Sequence, residues 1–159
     1  CIDIPVFTRS TGYSKYDIKH GIFYNTDTSY SDKNEVPPFY DGSNCMFAEG
    51  LTIIYSAMQL ALYMGFKEVY LIGCDCSYKK ISEVGASDYA DKRMATNVAL
   101  GMPPAVDYWF KSYEVARGYA ESHGAAIYNA TRGGMLDVFK RKNLDEVLEN
   151  IKQNGQSRS

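Results

Sequence analysis

The sequence predicts an α/β fold, a three-layer sandwich on a mostly parallel sheet. Three observations carry the prediction. First, Ile53, Ile54, Ala57, Leu60, Ala61 and Met64 recur at i, i+1, i+4, i+7, i+8 and i+11, the stripe of a helix. Second, Val69-Tyr70-Leu71-Ile72-Gly73-Cys74 is a near-continuous apolar run. Such a run suits a strand buried on both faces, hence a parallel sheet covered by helices. Third, strand and helix patterns alternate along the chain, which implies crossover connections.

Taken in order, Ile2–Thr8 alternates weakly and reads as an edge strand, where Pro5 is tolerated. Gly21–Asn25 is a second short strand, followed by a long polar loop over 26–48. Gly65 suits a left-handed cap after the first helix. Residues 77–102 are polar and small, and read as an excursion or lid. Pro103-Pro104 precede a helix from about Ala105 to Ser122, with Val106, Phe110, Tyr113, Ala116, Arg117 and Ala120 on its inner face. His123-Gly124 end it, and Ala125–Tyr128 is a short strand. Asn143-Leu144-Asp145-Glu146 opens a last helix as a capping box, with Leu144, Val147, Leu148 and Ile151 as its stripe. A single domain is expected over 1–152, with a disordered tail at 153–159.

Composition narrows the function. Net charge is −2, and Lys140-Arg141-Lys142 is too short a basic run for a nucleic-acid footprint. No apolar stretch approaches the ~20 residues of a membrane span. Cys1, Cys45, Cys74 and Cys76 form no C-x-x-C pair and meet no His at metal spacing. They read as structural thiols of a reducing compartment, and the expected location is cytoplasmic. The chain opens with Cys1 directly in a strand pattern, which reads as an internal start within a longer protein.

In parallel sheets, ligands bind beyond the carboxyl ends of the strands. Two such ends are readable, Gly73–Tyr78 and Asn129–Gly134. At the first, Asp75 can hold a sugar or ribose hydroxyl or act as a base, with Ser77 and Tyr78 beside it. An Asp after a strand can equally cap the following turn. At the second, Asn129 and Thr131 bond oxygen-rich ligands. Arg132 can pair a phosphate or carboxylate, and Gly133 lets backbone approach closely. A third candidate is Glu49-Gly50-Leu51-Thr52, which opens the first helix where free N–H groups attract oxygen ligands. His20 and His123 have no Ser or Cys neighbour that suggests a triad. Asp88 and Asp91 are three apart, too little for a metal assignment.

Glu49–Ile53, Gln59–Asp75 and Ile127–Phe139 resemble the 6-hydroxymethylpterin diphosphokinase (MptE-like) domain family. That family includes bacterial proteins described as glycosyltransferases. The stretch Gly65–Asp75 is also distantly similar to bacterial α-2,3-sialyltransferases. The resemblance implies a Rossmann-like fold that binds a nucleotide-sugar at the strand ends. It implies sugar transfer to a bacterial surface glycan or protein, in polysaccharide biosynthesis. The donor nucleotide-sugar is then the only cofactor-like group, with no metal. The alternatives are an ATP-dependent pyrophosphokinase using Mg²⁺ on a hydroxymethylpterin-like alcohol, or a non-catalytic module that keeps the fold. The family's Gly-Asn-Gly-Pro-Ser-like turn is not in this chain, so the C-terminal part of such a domain is expected. The position comparable to the sialyltransferase general-base His falls near Asp107, which can serve as a base or simply start a helix. The expected partners are the nucleotide-sugar and its acceptor, with no nucleic acid. Homo-oligomerisation stays open.

Overall fold

The computed structural model describes residues 6–9, 21–30, 35–50, 52–76 and 106–156. The elements run β1 (Val6–Arg9), β2 (Gly21–Asp27), β3 (Met46–Ala48), α1 (Ile53–Tyr63), β4 (Glu68–Leu71), α2 (Val106–Ser122), β5 (Ala126–Asn129), β6 (Lys140–Arg141) and α3 (Leu144–Gln156). The fold is α/β with parallel pairing. One sheet is ordered β1-β2-β3 and the other β4-β5-β6. Val6 pairs with Gly21 and Arg9 with Tyr24, then Asn25 with Met46 and Asp27 with Ala48. In the second sheet Tyr128 pairs with Lys140 and Asn129 with Arg141. Ala126 N–H donates to Lys67 O and Ala130 N–H to Leu71 O, so β4 and β5 advance together as parallel strands do.

Two compact units are present: Cys1–Val69 with Lys111–Ala126, and Tyr70–Phe110 with Ile127–Ser159. The breaks between their sequence ranges fall within β4, α2 and β5.

The helix ends follow the local chemistry. Thr52, extended at φ −151°, caps α1 by accepting the Ile54 N–H. Gly65 has φ +87°, with Gly65 N–H on Leu62 O and Phe66 N–H on Ala61 O, a Schellman end. The end of α2 repeats this, with Gly124 N–H on Glu121 O and Ala125 N–H on Ala120 O. Asn143 Oδ1 caps α3 by accepting the Asp145 N–H at 2.9 Å.

Several expectations need correction. The buried face of α1 is Tyr55, Ser56, Met58 and Gln59, while Ile53 and Met64 of the expected stripe are exposed. Hydrogen bonds turn the helix. Ser56 Oγ and Gln59 Nε2 donate to Ala48 O, and Tyr55 Oη donates to Pro37 O and Pro38 O. The apolar stripe is not unused, since Ile53, Ala57 and Leu60 line an open cavity of about 170 Å³ with Phe7, Tyr24, Phe47 and Ser56. Strand β4 stops at Leu71, and Ile72 is exposed rather than buried on both faces. On α2 the buried residues are Tyr108, Ser112, Tyr113, Ala116 and Ala120, with Arg117 exposed. On α3, Leu148 and Ile151 are exposed, and the helix continues to Gln156 where a tail is expected from Gln153. The long loop expected over 26–48 gives its ends to β2 and β3. The expected lid at 77–102 lies outside the described residues. No described helix is long and apolar enough to cross a membrane.

Candidate functional site

The second unit brings the two predicted strand ends together. After β4 the chain turns at Gly73 (φ +71°) and passes through Cys74, Asp75 and Cys76. After β5 it runs through Ala130–Leu136. Thr131 Oγ1 accepts the Cys74 N–H at 2.9 Å and donates to Leu71 O at 3.5 Å. Met135 and Leu136 N–H both donate to Asp75 O, at 2.6 and 3.3 Å. Asn129, fully buried, donates from Nδ2 to Leu136 O at 2.8 Å and accepts the Thr131 N–H at 2.9 Å. The corner is therefore stitched by side chain to backbone bonds, because parallel strand ends have no hairpin to close them.

Close approach fixes one glycine. A Cβ on Gly134 would stand 2.5 Å from Asp75 Cα and 2.6 Å from Asp75 O, and its φ is +82°. Only glycine fits there. The neighbouring Gly133 (φ +78°) has open space around its missing Cβ. Asp75, also exposed, borders Gly134 through its own Cβ, 2.7 Å from that hypothetical atom.

Cys74 and Cys76 are both buried, with Cys76 in the left-handed region at φ 51°. Burial, with neighbouring negative charge, raises the Cys74 thiol above its ordinary value and pushes Cys76 up to about 11. Neither is poised as a thiolate nucleophile.

The sequence-predicted residues thus divide by what they touch. Asn129 and Thr131 face backbone groups and hold the corner's shape. Arg132 is exposed and pairs with Asp145 Oδ1 at 2.8 Å, on the first turn of α3. Asp107 is exposed on the first turn of α2, a favourable place for a carboxylate against the helix dipole. Ser77 and Tyr78 lie outside the described residues, as do His20, Asp88 and Asp91. His123 is exposed at the end of α2, stacked on Tyr119.

Comparison with protein-family models, with curated proteins and with solved structures finds no match for this chain.

The Glu49–Thr52 candidate belongs to the first unit, at the carboxyl ends of β2 and β3. Tyr30 Oη donates to Asp27 O and accepts the Glu49 and Gly50 N–H groups. Gly50 has φ +58°, with the Tyr55 ring where a Cβ would go. Tyr40 Oη donates to Asp27 Oδ2 at 2.6 Å, and this bond is the first cause pushing the phenol up to about 12. Gln59, fully buried, ties the corner down: Oε1 accepts the Ala48 and Tyr40 N–H groups, and Nε2 donates to Ala48 O and Tyr55 O. Backbone donors that the sequence offers to a ligand at Glu49 and Gly50 are taken here by a tyrosine hydroxyl.

Two residues that sequence reasoning missed shape these corners, Gln59 and Arg141. Gln59 sits on a helix face that hydropathy marks as secondary. Arg141 reads as part of a basic run, yet its guanidinium donates to Thr131 O, Gly133 O, Gly134 O and Leu136 O. Only its two-residue strand, too short to show a period, would have placed it. Among the described residues no three His, Cys, Asp or Glu side chains gather to hold a metal ion.

Proposed function

We propose that this chain is a nucleotide-sugar-binding domain of glycosyltransferase type, working in the cytoplasm on a bacterial surface glycan or protein acceptor. The observation that supports it is the joined pair of strand ends in the second unit. Asp75 and the loop Thr131–Leu136 meet beyond the carboxyl ends of parallel strands, the usual ligand position in such sheets. The resemblance of Gln59–Asp75 and Ile127–Phe139 to the MptE-like domain family supports the same ligand class. In the proposed reaction an acceptor hydroxyl attacks the anomeric carbon, the bond from that carbon to the phosphate oxygen breaks, and the nucleotide leaves. An exposed carboxylate suits the task of taking the hydroxyl proton, and Asp107 is the candidate.

The test is calorimetric titration of the intact protein with CMP-, CDP- and UDP-sugars, with ATP–Mg²⁺ and 6-hydroxymethylpterin as a separate arm. Binding of one nucleotide-sugar, lost in Asp75→Ala without a matching fall in melting temperature, supports the reading. No binding across the panel overturns it. Mg²⁺-dependent ATP consumption with the pterin replaces it by pyrophosphoryl transfer.

A further inference from the structure

We draw no further inference here: the strongest candidate, the open apolar cavity of about 170 Å³ between α1 and the β1-β2-β3 sheet, lined by Phe7, Tyr24, Phe47, Ile53, Ala57 and Leu60, carries nothing, because the Ser56 hydroxyl beside it is already given to Ala48 O and nothing in the structure shows what covers it.

Discussion

Replacing Gln59 by Leu is the sharpest test of how the first unit is held. Leu fills nearly the same volume, so little cavity is made. What changes is polar pairing. The Ala48 N–H, on a residue with no exposed surface, loses its acceptor at 2.9 Å. The Tyr40 N–H, half-buried, loses its acceptor at 3.1 Å. Ala48 O keeps the Ser56 hydroxyl at 2.9 Å, and Tyr55 O stays within the α1 ladder. A buried donor left without a partner costs about 1–3 kcal/mol, and a half-buried one toward the lower end because water reaches it. The sum is about 2–4 kcal/mol, a large share of the roughly 5–15 kcal/mol that holds an ordinary domain together. In a chain of this size that lowers the melting temperature by about 5–15 °C. Urea denaturation of Gln59→Leu and Gln59→Glu with an unchanged slope measures it. The Glu variant should fare no better, since a carboxylate faces the Ala48 carbonyl with no donor. A Leu variant within about 0.5 kcal/mol of the parent, the range of a featureless surface change, would refute the claim that this amide fixes the corner.

Three further outcomes are expected. Gly134→Ala should cost about 3 kcal/mol or more, from its left-handed φ plus the 2.5 Å approach to Asp75 Cα. Gly133→Ala, with open space, should cost only about 1 kcal/mol, and equal melting temperatures for the two would contradict the close approach. Thr131→Val strands the Cys74 N–H and should cost about 1–2 kcal/mol, whereas Thr131→Ser keeps the acceptor and should melt near the parent. A ligand-only role for Thr131 would leave both at the parental temperature. Tyr40 carries a pH signature: its phenol ionises near 10.0 when unfolded and about 12 when folded. The protonated form is the one the fold favours, so its contribution is whole below pH 10 and disappears as pH rises toward 12. The stability gap between the parent and Tyr40→Phe, followed by denaturant midpoints from pH 9 to 12, should be flat at first and then shrink. A gap that is constant throughout would discount the Asp27 bond.

What was legible in the sequence was local. Gly65 and Gly124 end helices because the Schellman turn needs a left-handed residue one step past the cap, and that signal sits within six residues of chain. Asn143 caps α3 for a similar reason. The two strand-end corners were readable because apolar runs stop at polar, glycine-rich stretches. Strands β3 and β6, at three and two residues, carry too few side chains to display alternation. Hydropathy misplaces the buried face of α1, because it scores Gln59 and Ser56 as solvent-facing while both are buried for their hydrogen bonds to Ala48. Arg141 is hidden for the same reason in reverse: a charge run reads as surface, and this guanidinium is indeed exposed while it organises four carbonyls.

A common cause lies behind these misses. A parallel strand ends without a hairpin, so its last backbone groups need partners from elsewhere in the chain. In the first unit Gln59 supplies a strand-like edge, taking one N–H and giving to one carbonyl of Ala48. In the second, Thr131 stands between Cys74 and Leu71, and Asn129 spans Thr131 and Leu136. The polar side chains that best resemble ligand contacts in the sequence are the ones these strand ends require for themselves. The loop carbonyls of Thr131, Gly133, Gly134 and Leu136 find their donor in the same way, in the Arg141 guanidinium. Substitutions at Thr131, Asn129 and Arg141 should therefore act through the shape of the loop, and each should register in the stability of the chain or in the hydrogen exchange of Met135 and Leu136, whose N–H groups the loop presents to Asp75 O.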